Sequence, residues 1–390
     1  MFLPVLLVRD YGLWAWFVFA IPNVVGAAAM GWVLRDADAS LRLQTKHLPA
    51  VVAFSLVTIA FHVFFLFCIA GPIAGSWFVV PIALLSMLLA WLLSHHVHGG
   101  WLIAAAVVLA VSVAALVVLG FSRAIALPAQ QGQLPTLNIL WLLPVCVFGF
   151  LLCPYLDVTF HRARQALGPA DGRLAFGVGF GGFFLLMIVI TLLYAPLLIV
   201  RGAALRDVDA APPATFAVWI VAIHMAVQAG FTMVAHGRYA GRRFHDLGME
   251  MTTVFILASL GLLIGAMVVS SRVTDYRGLS GPELAYRFFL AFYGLVFPAY
   301  VWICMVPTRT SDTVPRRAIV TFAAATLIAA PMFWMGFIER RMVWLIPGVA
   351  VVLLAQLIVT RTGPRPNQET LVTLRSDPAE ATKNFLTANK

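Results

Sequence analysis

Apolar runs of about twenty residues, separated by short polar, Gly or Pro punctuation, recur along the chain as far as Thr360, and this pattern predicts membrane-spanning helices. Eleven runs are legible, at approximately 11–34, 48–70, 77–95, 101–121, 137–161, 174–200, 214–236, 250–270, 284–306, 318–337 and 342–360. A stretch such as WLIAAAVVLAVSVAALVVLGF, Trp101 to Phe121, is apolar on every side, as a lipid-embedded helix is; strands of a membrane barrel would alternate over about ten residues instead. The expected fold is therefore all-α and polytopic, with a transmembrane helical domain over 1–361. The polar tail 362–390, with Pro364, Pro366 and Pro378, is expected to be cytoplasmic and largely disordered. The opening MFLPVLLVRDYG has neither a basic stretch ahead of its apolar residues nor a small-residue cleavage site, so it does not read as a signal peptide, and it is too short to cross a bilayer.

Composition agrees: 62% of the residues are hydrophobic and 11% charged, where a soluble domain carries about 25% charged residues. This excludes a water-soluble globule and a disordered chain, and leaves no basic, aromatic-interleaved domain for nucleic acid; the lipid bilayer is the expected partner. The net charge of +10 is unevenly spread. With eleven spans, about 17 of the 26 Lys and Arg fall in the odd-numbered loops and the tail, among them Arg35, Arg42, Lys46, Arg162, Arg164, Arg238, Arg309 and Arg316. The other side holds about 9, including Arg9, Arg123, Arg201, Arg206 and Arg287. The first side is expected to be cytoplasmic and the N-terminus outside, in a cell inner membrane. Cys68, Cys146, Cys153 and Cys304 lie in apolar runs without CxxC spacing, which suggests membrane-embedded thiols rather than a disulfide framework or a zinc site.

Most runs lack ionisable residues. The fifth, LNILWLLPVCVFGFLLCPYLDVTFHRARQ, places Pro144, Pro154 and Asp157 in an apolar setting. Pro154 removes a backbone donor and clashes with the carbonyl four residues earlier, so the helix is expected to kink or unwind between Gly149 and Asp157. Broken backbone at membrane depth is tolerated where it is buried in protein or lines a cavity, and an intramembrane carboxylate needs a partner or a ligand. Two readings stand side by side. Asp157 caps the second half of a kinked helix and pairs with His161 or Arg162, or Cys153, Pro154, Tyr155 and Asp157 form a substrate or ion site at a discontinuous helix.

The seventh run carries His224, Gln228, Thr232 and His236 at steps of four, which places them along one helical face, as candidate site residues or as interhelical hydrogen-bonding groups. Other motifs carry less. His95, His96 and His98 have no acidic or Cys neighbour to complete a metal site. GLSG at Gly278–Gly281 sits in a charged loop, where Ser280, Pro282 and Glu283 read as a capping box rather than a protease motif. ADGRLA at Ala170–Ala175 lacks the downstream aspartates of an alcohol-phosphate transferase. Asp36 and Asp38 beside Arg35 suit a solvated loop. The glycines of GVGFGG, Gly177–Gly182, are expected to let helices approach closely. No motif assembles an enzyme.

The segment LLPVCVFGFLLCPYLDVTFHRAR, with its basic exit, resembles the sixth helix of LeuT-type transporters, the broad superfamily of amino-acid permeases and sodium:solute symporters. That helix unwinds at mid-membrane and leaves toward the cytoplasm. YGLWAWFVFAIPNVVGAAAMGWVLRDADASLRL is similar to the family's second helix, so the eleven runs would correspond to family helices two to twelve, with Met1–Asp10 as the outer tail of the first. The family's first helix contributes half of the substrate and ion sites, and the expectation is that it lies upstream or is missing. The resemblance implies ion-coupled symport of a small solute, with Na+ or H+ as coupling ion and no other cofactor. It implies a sodium-ligand role for Thr232, a position for His62 facing the broken helix, and Asp157 holding the coupling ion or a basic group of the solute. A non-transporting sensor or assembly subunit is the alternative, a membrane-embedded enzyme a more distant one. Oligomeric state is open.

Overall fold

The apolar runs fold as helices because a bilayer offers their backbone no other hydrogen-bond partners. A computed structural model describes residues 2–204, 213–307 and 313–361 of the protein. Among the described residues there is no strand, and 11 helices are long and apolar enough to cross a membrane. The spans, numbered in chain order, are Leu13–Val33, Leu48–Ala74, Ser76–His96, Gly100–Phe121, Asn138–Tyr155, Ala170–Ala203, Phe216–Leu247, Met249–Arg272, Gly281–Met305, Arg316–Phe337 and Met342–Thr360. The tail beyond Arg361, expected to be disordered, lies outside the described residues, as do Arg206 and Arg309.

The seventh span is the axis of the bundle. It packs along the second, third and fourth spans, and 67% of its most apolar window is buried, against 11% for the eighth at the rim. The first span pairs with the fifth, the ninth with the fifth, eighth and tenth, and the tenth with the eleventh. Residues such as Leu84, Leu88, Val254, Leu257, Leu260 and Ile264 are large, apolar and exposed, which suits a surface facing lipid. The first and fifth spans touch closely at Gly26, where a Cβ would collide with the carbonyl of Phe150. The glycines of GVGFGG behave otherwise. A Cβ on Gly179, Gly181 or Gly182 would meet open space, and Gly179–Phe184 forms a π-helical turn inside the sixth span, so close approach is not their role.

The N-terminal residues form a nine-residue helix, Leu3–Tyr11, with Val5, Leu6, Leu7, Val8 and Tyr11 buried. At about 1.5 Å per residue it reaches less than halfway through a bilayer. Gly12, at φ 83°, turns the chain into the first span; the turn also lies against Gln130, where any side chain would collide. Hydrogen bonds from Leu13 to Ala129, Gln133 to Arg9 and Leu134 to Asp10 hold the loop after the fourth span over this turn. We call this side the N-terminal face and the opposite side, with Arg35, Arg42, Lys46 and Arg162, the basic face.

Candidate functional site

The fifth span breaks at its proline. The α-helix Asn138–Leu152 ends, Cys153–Tyr155 makes a single 3₁₀ turn, and a short helix, Val158–Gln165, begins beyond Asp157. Asp157 adopts extended backbone and caps that helix, its Oδ1 accepting hydrogen bonds from the Thr159 amide at 2.8 Å and the Thr159 hydroxyl at 2.7 Å. The same oxygen faces His236 Nε2 of the seventh span at 3.8 Å. His236 Nδ1 in turn lies 3.2 Å from Ser55 Oγ on the second span.

This break is shallower than the resemblance implies. Ser55 stands seven residues inside the second span, about 10 Å from its basic-face end. The 15-residue helix Asn138–Leu152 covers about 22 Å before Pro154 stops it, so the unwound turn falls toward the basic face rather than at the midplane.

Asp157 and His236 stand at one end of a cavity of about 400 Å³ lined by the N-terminal helix and the first, second, fifth, sixth, seventh and ninth spans, with Phe337 and Met342 beyond. Its wall is largely apolar and rich in rings, among them Phe19, Phe54, Phe61, Phe150, Tyr286, Phe289 and Tyr293. Polar groups are few. Between the two ends they include Asn23, Thr58, His62 and Thr232, with Thr58 Oγ1 2.8 Å from the Tyr293 hydroxyl and His62 Nδ1 2.7 Å from the Thr58 carbonyl.

The other end of the cavity is bounded by charge. Asp10 and Arg287 line it, within a network in which Arg9 donates to both oxygens of Glu283, at 2.8 and 2.6 Å, and to Asp10 at 2.8 Å. Arg287 donates to Glu283 at 2.9 Å and to Asp10 at 2.5 Å. The Asp10 and Glu283 carboxylates hold the Arg9 guanidinium above its ordinary range despite burial. Glu283 thus serves this network instead of a capping box: Ser280 occupies the N-cap position of the ninth span without a side-chain capping bond.

Toward the basic face the cavity meets a ring pair. Phe54 lies 4.8 Å from Phe297 and 5.8 Å from Tyr293, centroid to centroid. Phe297 and Val57 also line a groove of about 1660 Å³ on that face, whose rim carries Arg35, Arg42 and Lys46. Phe54, which lines the cavity, thus packs directly on Phe297, which lines the groove.

Of the residues singled out from sequence, Cys153, Asp157, His62 and Thr232 line the cavity together. Pro154 and Tyr155 do not. The tight 3₁₀ turn rotates Tyr155 away, toward Met30, Leu34 and Phe176, and its carbonyl accepts a hydrogen bond from His161 Nε2 at 2.9 Å. His224 and Gln228 do not reach it either. They close on Ser112 of the fourth span, with Nδ1 of His224 at 3.1 Å and Nε2 of Gln228 at 3.3 Å. Four residues of α-helix advance a face by roughly 40° beyond a full turn, so the polar stripe winds from the fourth span at His224 to the cavity at His236. His161 does not pair with Asp157; Ser40 Oγ lies 2.9 Å from its Nδ1, and burial lowers its proton affinity. Arg162 lies over the Trp101 ring.

Arg164, fully buried, anchors the exit of the broken helix. It donates to the carbonyls of Leu34 at 2.6 Å and Arg35 at 2.5 Å, which end the first span, and to those of Leu167 at 2.9 Å and Gly168 at 3.1 Å. None of the four cysteines forms a disulfide. Among the described residues no cluster of three or more His, Cys, Asp or Glu could hold a metal ion. Sequence reasoning missed Ser55, Tyr293 and the Arg9, Asp10, Glu283 and Arg287 network, whose members stand more than 270 residues apart in the chain. Comparisons with protein-family models, curated proteins and solved structures found no match to this chain.

Proposed function

We propose that this protein is a secondary active transporter that moves a small solute across a membrane together with a coupling cation. The observation that carries the reading is the broken fifth span, whose capping carboxylate faces a histidine at the end of a central cavity. An α-helix interrupted beside an ionisable group is costly in a bilayer, and transporter sites repay that cost by binding solute and ion there. The aromatic wall suits a solute with an apolar body that fits about 400 Å³.

Two further features support alternating access. The cavity lies between an ion-pair network at one end and the Phe54, Phe297 and Tyr293 rings at the other, two barriers that could open in turn. The helix Leu3–Tyr11 lines the cavity beside the broken span, in keeping with the part that the resemblance to LeuT-type transporters gives Met1–Asp10. In this reading the basic face is cytoplasmic, by the excess of Lys and Arg there, and the membrane is a cell inner membrane.

Cys153 offers a test that needs no knowledge of the solute. In a variant with Cys68, Cys146 and Cys304 replaced by Ser, a membrane-impermeant thiol reagent should reach Cys153 from either face of oriented vesicles, with a preference that an imposed cation gradient shifts. Modification from one face only, under every gradient, would favour a sensor or assembly subunit and reject transport. Uptake of a panel of labelled small solutes into proteoliposomes then identifies the cargo, and Asp157→Ala should reduce it to the level of empty vesicles.

A further inference from the structure

The coupling cation can be narrowed by accounting for protons at the inner end of the cavity. Oδ1 of Asp157 accepts two hydrogen bonds from Thr159, and His236 Nε2 faces it across 3.8 Å, within ion-pair range but beyond a direct hydrogen bond. On the far side of the ring, Ser55 Oγ stands 3.2 Å from Nδ1 and 3.0 Å from the carbonyl of Val51. A serine hydroxyl has one hydrogen and can point it either way. Directed at Nδ1, it satisfies a neutral imidazole. Directed at Val51, it leaves Oγ to accept from Nδ1–H of an imidazolium. Ser55 can therefore serve the Nδ1 side of His236 in both protonation states without moving a helix.

Charge gives the same answer. Around His236 stand Asp157 and Cys153 of the fifth span, His62 and Ser55 of the second and Tyr293 of the ninth, with His161 behind Asp157. Among the described residues no Lys or Arg forms an ion pair with Asp157, and the basic group that faces it is His236. A hard metal cation would seek several oxygen ligands; here the group facing the carboxylate is an imidazole nitrogen, which binds a proton better.

We propose that His236 is the proton-binding group of this cavity, with Asp157 as its counter-ion and Ser55 as the hydroxyl that serves both protonation states. One proton enters from water at one face, converts imidazole to imidazolium, and is released unchanged at the other. This deepens the transport reading and rests on it for the word coupling, but proton binding itself is measurable without a solute.

The test is nitrogen NMR of the full-length protein labelled at histidine in lipid, over about pH 5 to 9, where histidines titrate. His236→Gln identifies the signal by its disappearance; should that variant fail to fold, His236→Asn removes the same signal and serves in its place. Expected is a transition of both ring nitrogens to the protonated form, indifferent to replacing potassium by sodium at equal ionic strength. Asp157→Asn should move the transition by about one to three pH units toward lower pH. A His236 signal that stays neutral throughout, one that ignores the Asp157 variant, or a transition displaced by sodium overturns the proposal. Failure of Cys153 to alternate would remove transport and leave this titration standing.

Discussion

The two ends of the cavity are both buried and both charged, yet they are built differently. At the N-terminal end two guanidinium groups meet two carboxylates in hydrogen bonds of 2.5 to 2.9 Å, and the charges cancel. At the basic end one carboxylate faces one imidazole across 3.8 Å, and cancellation depends on a proton. A balanced network of this kind is a fastening, costly to disturb and indifferent to its surroundings at ordinary pH. An unbalanced pair of this kind can respond to its surroundings.

The difference predicts opposite outcomes on substitution. The largest effect belongs to Arg287→Met, which leaves Asp10 and Glu283 with Arg9 as their sole partner; thermal unfolding in detergent should show a loss of about 3 to 5 kcal/mol. Adding Asp10→Asn should recover part of it, which a simple packing defect would not allow. Next comes His224→Ala, away from both ends. It strips Gln228 and Ser112 of a partner, at a cost of about 1 to 3 kcal/mol, and should leave the Cys153 accessibility and the His236 titration as they were.

Asp157→Asn should change stability by less than about 1 kcal/mol, because asparagine is as good an N-cap, while the His236 transition moves to lower pH and any uptake is lost. That combination is the sharpest contrast with Arg287. The mildest effect concerns His47, at the basic face, whose Nδ1 lies 3.0 Å from the Tyr300 hydroxyl. Burial and Lys46 lower its pKa from 6.5 to about 4, so the folded state prefers it neutral. Stability present above about pH 6.5 should fall as pH drops through about 4, since the unfolded chain takes up that proton first. Unfolding of His47→Gln followed over this range should have a shallower dependence, separating this background from His236.

What could be read from sequence follows the same physics. The spans were legible because a bilayer demands about twenty apolar residues in a row, and ends such as Ser76, Phe121 and Phe337 fall within a residue of the expected positions. The seventh span overran its expected end at His236 by eleven residues, because Arg238, Arg242 and Arg243 sit where the helix has already left the apolar layer. The break was legible because proline acts on its own backbone. Which side chains face the cavity was not: Tyr155 and Asp157 are two residues apart, and a single tightened turn sends them to different neighbours. His236 shared its stripe with His224, and only the positions of Ser55 and Ser112 on other helices distinguish their surroundings. Glu283 looked like a local cap because Arg9, its partner, is far away in the chain.

Arg164 sets how such a molecule could move. By gripping the carbonyl ends of two segments at once, it ties Val158–Gln165 to the first span as a single lever. The lever's pivot is then the 3₁₀ turn at Cys153–Tyr155, where the helix is broken, and a swing about it would carry Asp157 toward or away from His236. The proton's seat would be made and unmade by the same stroke that opens the basic face.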